Sequence, residues 1–387
     1  MIESNREIKK PSEKREIMPR FEASALRGYC VSVLTASGVE RSCAEAVADA
    51  LIDAELTGVS THGVSRLAVY MQRMDAGVMS RENNIRIVRE STSTLVVDAG
   101  NSLGAAAAKF AMERCIAKAK ETGCCFASVH SSNHFGTAAY YTRLAAAQDM
   151  IGFACTNLKG KIAPFGSAEP YMGTNPISVA APSDDLPVVL DMAPSVVALG
   201  KLILAQKLGK SIPEGWALDK DGHPSTDAKD VLKNIVAKNG GGIMPLGGNT
   251  EQLGSHKGYG YGMLCEIFCS VFSQGTPSSH VNVGGKSGTC HGFMAVDPNV
   301  FGNAEEIKAH FSEYLRELRN APKADGAARI YTHGEKEVEA YADRMKNGID
   351  VNINTVAEMI DMAKYLGMDA EKYLGKVETT GLESSYK

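Results

Sequence analysis

The chain has 387 residues, of which 44% are hydrophobic and 22% charged, with a formal net charge of -4. That length suits about two or three domains and a sizeable buried core, and the composition excludes disordered, collagenous and coiled-coil chains. A charge this close to zero gives no electrostatic reason for a nucleic-acid or membrane partner. One departure stands out: there are 38 glycines, or about 10% against a usual figure near 7%.

Residues 1–20 are charged and contain no apolar run, so they read as a mobile tail rather than a signal peptide. Apolar residues at helical spacing then predict a helix over 21–37 ending at Gly38, and a second over 42–57 ending at Gly58. Ser60 and Thr61 are candidate N-caps of a third helix that runs to Gly77. In such a helix His62, Arg66 and Tyr70 share one face. That face offers a titratable imidazole, a fixed cation able to hold a carboxylate, and a phenol. From spacing alone, a capped helix with a solvated His/Arg face is the better account.

Strands are expected at Ile85–Val88, Thr94–Asp98, Cys125–His130, Ile151–Thr156, Ile177–Ala181 and Val188–Asp191, with helices over 103–121, 137–148 and 196–208. His130 to Thr137 joins a strand to a helix, a frequent setting for ligands, although a helix N-cap with one structural histidine explains it too. Turn formers and polar donors gather at Met172-Gly173-Thr174-Asn175-Pro176 and Asp191-Met192-Ala193-Pro194-Ser195. Residues 209–256 read mostly as loop, a long helix starts near Gly258, and Gly292–Val296 reads as a late strand. From Asn303 helices return, with a strand-like Asp350–Ile353 among them.

No G-x-G-x-x-G follows a strand, and P-loop, G-x-S-x-G and H-E-x-x-H motifs are all missing. The nine cysteines are an odd number and read as reduced thiols of a cytoplasmic protein. Cys265 and Cys269, four apart, lack a companion pair at zinc spacing and read as core residues, so no metal is expected. Met263–Phe272, the most apolar window, is too short to span a membrane and contains Glu266.

Seven segments resemble, in order, the malate/L-lactate/L-sulfolactate dehydrogenase family, a group separate from the Rossmann-type lactate and malate dehydrogenases. They are Thr61-His62-Gly63-Val64-Ser65-Arg66 with Tyr70; Ser132-Asn133-His134-Phe135-Gly136; Tyr171 to Pro176; Leu190 to Ala193; Gly200-Lys201 with Ile212 to Ala217; Lys257-Gly258-Tyr259-Gly260; and Gly334-Glu335-Lys336-Glu337. The resemblance spans roughly residues 21–365. It implies an NAD- or NADP-dependent oxidoreductase of small 2-oxo or 2-hydroxy acids, acting as a homodimer with its site near the interface.

The implied fold class is α/β (α+β): a helical domain (21–80), a mixed-sheet non-Rossmann cofactor domain (81–330), and C-terminal helices (331–387) packed back on the first. Residue by residue, the resemblance implies His62 or His134 as proton carrier. Thr61, Arg66, Tyr70, Thr174 and Asn175 fall on the substrate side. Asn157, Leu158, Asp191, Met192, Ala193, Pro194, Ser195, His256, Lys257, Gly258, Gly334, Glu335 and Lys336 fall on the cofactor side. His333 and Pro194 stand where the family often has Pro and Thr, which leaves the choice between NAD and NADP open. The family fold also hosts ureidoglycolate and sugar-acid dehydrogenases and cyclic imino-acid reductases. A non-catalytic binder of small acids or nucleotides is the reading from a different class.

Overall fold

The computed structural model describes residues 18–379, 384 and 386, so the expected tail lies, but for its last three residues, outside the described residues. The N-terminal layer holds α1 (Ala23–Ala36), α2 (Arg41–Leu56) and α3 (Ser65–Asp75). A short strand β1 (Arg20–Phe21) precedes them. The main sheet draws on β2 (Arg86–Glu90), β3 (Thr94–Asp98), β4 (Cys124–Ser132), β5 (Ile151–Thr156), β6 (Ile177–Ala181), β7 (Val188–Met192) and β11 (Thr289–Val296). Its order is β2-β3-β4-β11-β5-β6-β7, and only β3 and β4 pair in parallel. The antiparallel pairings make β3, β4, β5 and β7 point one way. The loops that leave β4, β5 and β7 therefore emerge at one end of the sheet.

One sheet face is built from small residues. Ala127, Ala154, Ala295 and Gly152 let α4 (Gly104–Thr122) and α5 (Ala138–Ala146) approach closely, and an added Cβ at Gly152 would lie 2.5 Å from the Thr142 carbonyl oxygen. Helix α4 answers with a buried alanine face at Ala105–Ala108, Ala111 and Ala119. The opposite face is covered by α8 (Ser255–Glu266) and the π-helical turn that prolongs it (Ile267–Val271). There the Ser128 hydroxyl donates to the carbonyls of Phe268 and Cys269.

Between β7 and α8 the chain makes an excursion. It comprises α6 (Leu199–Leu208), β8 (Ala217–Leu218), β9 (Pro224–Ser225), α7 (Ala228–Ala237) and β10 (Gly242–Ile243). Its own core forms around Leu202, Val231, Ile243 and Met172. The expectation of loop over 209–256 is corrected here: α7 is an amphipathic helix. The Asp227 side chain caps it by accepting from the N–H groups of Lys229 and Asp230. A ten-residue helix between turn formers leaves too short a period to read from sequence.

The last segments are α9 (Ala304–Asn320), α10 (Glu335–Asn347), β12 (Ile349–Asp350), α11 (Ile353–Tyr365) and α12 (Glu371–Leu374). β12 pairs with β1, and Tyr29 on α1 donates its hydroxyl hydrogen to the Met359 carbonyl on α11. Val356, Met359 and Met362 join Leu26, Leu34 and Leu51 in one core that continues into the α4 face of the sheet.

All nine cysteines are unpaired and only Cys124 is exposed. Cys155, Cys265, Cys269 and Cys290 cluster under the π turn, where burial pushes Cys269 up to about 11 and Cys290 to about 12. Among the described residues no helix is long and apolar enough to cross a membrane, and no group of three metal-ligating side chains gathers.

Candidate active site

The single helix expected from Ser60 to Gly77 is broken. Ser60–His62 forms a 3-10 turn, Gly63 is nearly extended (φ -87°, ψ -148°), and α3 begins only at Ser65. Arg66 and Tyr70 keep their shared face on α3, but His62 sits before the break. There Arg66 Nε donates to the Thr61 carbonyl oxygen at 2.6 Å, and Thr61 Oγ1 lies 3.0 Å from His62 Nδ1.

The break delivers His62 to His134, which leaves the end of β4. Their rings stack with centroids 5.4 Å apart and planes at 25°. His134 Nδ1 lies 2.7 Å from the Tyr70 hydroxyl and 3.4 Å from the Gly136 N–H. Burial raises the Tyr70 pKa, so its phenol stays protonated and donates. With Nδ1 accepting, the neutral ring carries its proton on Nε2.

Burial, and then the Arg66 guanidinium, lowers His62 to about 4. His134 is pushed well below its ordinary value by burial, His62 and Arg66 in turn. Sequence reasoning missed Lys161, which follows β5. It is half-buried, and its ammonium is pushed down by burial and by the charges of Arg66 and Lys159. Neither Arg66 nor Lys161 has a carboxylate partner among the described residues. In the sequence only a Lys159-Gly160-Lys161 run shortly after β5 marks the place; in the fold Gly160 is pressed so close that a Cβ would lie 2.2 Å from the Pro170 carbonyl oxygen.

Asn157 and Asn175 are fully buried, and both spend their side chains inside the protein. Asn157 Nδ2 donates to Glu266 Oε2 (3.2 Å) and to the Thr276 carbonyl, while its Oδ1 accepts from the Cys290 N–H. Asn175 Nδ2 donates to Glu266 Oε1 (3.0 Å), and its Oδ1 accepts from the Leu158 N–H. Glu266 thus ties the exit of β5 to the approach of β6. Thr174, half-buried, stands on this approach.

Asp191, near the end of β7, accepts from the Ala139 N–H of α5 at 2.7 Å, which sets its carboxyl against the protein. The surrounding protein pushes its carboxyl up to about 6. Met192 is 38% exposed, whereas Pro194 and Ser195 are buried. Pro194 O accepts from Leu246 N, and Leu246 O from Gly258 N, which joins this turn to the start of α8 with exposed His256 and Lys257. On the other side His333 O accepts from Val189 N of β7, and Gly334 (φ +96°) approaches Val189 closely. Glu335 does not face outward: it accepts from Arg319 Nε (2.6 Å), Arg329 Nη2 (2.8 Å) and the Thr332 hydroxyl. Lys336 lies over the Tyr331 ring at 4.8 Å.

The profile of the malate/L-lactate dehydrogenase family matches residues 21–360. The malate dehydrogenase of Pyrococcus horikoshii is 39% identical over 90% of this chain and 96% of its own length. The malate/(S)-sulfolactate dehydrogenase of Methanothermus fervidus is 33% identical over 89% of this chain and 97% of its own. The crystal structure of malate dehydrogenase from Entamoeba histolytica superimposes with a TM-score of 0.87 at 33% identity, covering 91% of this chain and 99% of that one.

This chain belongs to the malate/L-lactate dehydrogenase family. It is an oxidoreductase acting on a hydroxyacid, and membership implies a nicotinamide cofactor. The residues present fit such a group. Thr137 Oγ1, at the start of α5 beside Asp191, is buried without a hydrogen-bond partner among the described residues. A polar ligand seated there would satisfy it.

Proposed function

We propose that the protein transfers hydride between NAD or NADP and a small 2-oxo or 2-hydroxy acid of the malate/lactate type. The observation that carries this reading is the stacked His62–His134 pair beside an Arg66 that no carboxylate neutralises among the described residues. Thr137, the Asp191–Ser195 turn, His256–Gly258 and Gly334–Lys336 would hold the cofactor, which supplies the hydride chemistry when bound. The remaining tasks fall on the chain. Arg66 holds the substrate carboxylate, with Thr61, Tyr70 and Thr174 around it. Tyr70 fixes the His134 tautomer, and His62 or His134 moves the proton of the substrate hydroxyl.

Arg66 and the half-buried Lys161 leave the site with positive charge to spare. That surplus favours a substrate with a second anionic group, such as a 2-oxo dicarboxylate. A substrate carboxylate on Arg66 also cancels the cation that depresses both imidazoles, so proton uptake is coupled to substrate binding. Nine unpaired thiols suit a reducing cytoplasm. The apolar stripe along α8 and its π turn suits a homodimer: Tyr261, Met263, Ile267, Val271 and Phe272 are 41–60% exposed.

The test is turnover of oxaloacetate and pyruvate with NADH and with NADPH, in the native chain and in His62→Gln and His134→Gln. Loss of general acid–base help costs about 10²–10⁴-fold. At least one variant should lose kcat on that scale; near-full kcat in both overturns the reading.

A further inference from the structure

We propose that Glu55 and Arg344 form a positioning pair that holds the Ser60–Val64 turn, and so the His62 imidazole, in its place against His134. The inference rests on the catalytic reading of His62 and asks what aims that side chain.

Nothing within α3 does so, because His62 lies before its first turn. The backbone there is instead moulded onto Glu55, the penultimate residue of α2, which is 2% exposed. Glu55 Oε1 accepts from the Val64 N–H at 2.9 Å. A Cβ on Gly63 would fall 2.0 Å from that same oxygen and 2.3 Å from the carboxyl carbon. Gly63 has negative φ, so the glycine is required by space rather than by conformation. The carboxylate thus clamps the two residues that follow His62.

A carboxylate this deep needs a cation. Burial pushes the Glu55 carboxyl up, while Ser60, Val64 and Arg344 pull it down. Arg344 arrives from α10, near the other end of the sequence. Its Nη1 donates to the Glu55 carbonyl oxygen and to Ser60 Oγ (3.2 Å), and lies 3.8 Å from Glu55 Oε2. Ser60 opens the 3-10 turn, so the pair grips the turn on both sides of His62. Ala340, one turn earlier on α10, packs 3.4 Å from where a Cβ of Gly58 would stand. α10 begins at Glu335, in the segment assigned above to the cofactor, and its first turn is fastened by Glu335 to Arg319 and Arg329. One helix therefore has its start beside the cofactor segment and its last turns beneath the catalytic turn.

Steady-state kinetics of the full chain with oxaloacetate and the better of NADH and NADPH test the proposal, using Glu55→Gln, Arg344→Lys and, in parallel, His62→Gln. Misplacing a proton carrier by about 1 Å can cost about 10²-fold. Glu55→Gln should lower kcat by about 10- to 100-fold. KM for oxaloacetate and the cofactor dissociation constant, read by fluorescence titration, should stay within about threefold. The solvent deuterium isotope effect on kcat should rise as the proton step becomes slower. Arg344→Lys keeps the charge but loses the fork and should show the same pattern more weakly, and it serves if Glu55→Gln does not fold. A fold-only role would change melting temperature without the isotope effect or the split between kcat and KM. If His62→Gln loses kcat while both pair variants keep it within twofold, the positioning role is overturned and the catalytic reading survives. If His62→Gln itself keeps kcat, the catalytic reading falls.

Discussion

At the level of single residues, the fold keeps the two stacked histidines of the candidate site neutral. Burial lowers both His62 and His134 most, and the Arg66 guanidinium adds to it. In the direction of hydroxyacid oxidation the proton carrier must start as a base. With His62 held near 4, the neutral form persists well below the usual histidine value of about 6.5. The acid limb of kcat/KM for oxidation should therefore lie near pH 4–5, with no inflection near 6.5. Arg66→Gln should move that limb upward, because a depressing cation is gone, and should raise KM for the carboxylate. Losing a charge-assisted hydrogen bond costs about 1.5–3 kcal/mol, or roughly 10- to 150-fold. A pH profile of both proteins, with KM measured across it, checks the two effects together.

At the level of elements, close backbone approach accounts for some of the glycines, among them one at the start of α4. Gly104, the first residue of α4, has no room for a Cβ, which would lie 2.1 Å from the Asn133 carbonyl oxygen and 2.5 Å from that of His134. Gly104→Ala must push the backbone that carries His134. Overpacking of this kind costs about 1–3 kcal/mol. We expect a lower urea midpoint together with a kcat that falls more than cofactor affinity, measured by denaturation, kinetics and fluorescence titration.

Much of this layer was legible in the sequence. The paired motifs around His62 and His134 stand out, as do Arg66 and Tyr70, because the chemistry-bearing residues sit in short recognisable runs. The break at Gly63 was not legible: it is set by Glu55, which contacts it through folding and not through helical period. Lys161 was hidden for a related reason, since a lysine in a loop declares nothing until its neighbours make it half-buried. Asn157 and Glu335 read as cofactor-contacting and Asn175 as substrate-contacting, whereas their side chains bond inside the protein. Their partners Glu266, Arg319 and Arg329 are far enough along the chain that spacing cannot reveal them.

At the level of the whole molecule, the apolar stripe of α8 and its π turn is left without a partner among the described residues, and a second copy is its proposed cover. If the chain dimerises through this face as proposed, Phe272→Asp combined with Val271→Asp should give a monomer in analytical ultracentrifugation. An unchanged sedimentation coefficient for both proteins would argue against this face as the interface. The sheet order was beyond sequence reading as well. β11 inserts between β4 and β5 although more than a hundred residues separate it from either, and no periodicity encodes that.

The pairing of β1 with β12, and of Tyr29 with Met359, has a consequence in time. The first helices leave the ribosome with Leu26, Leu34 and Tyr29 needing partners that stand 330 residues further along in the case of Tyr29. At about 5–20 residues per second, synthesis of that stretch takes roughly 15–65 seconds. For that interval the layer of α1 and α2 is an unfinished half-core with apolar faces open to the cell. A nascent chain arrested before α11 should consequently hold chaperones at its N-terminal helices, and release them once Met359 and its neighbours emerge.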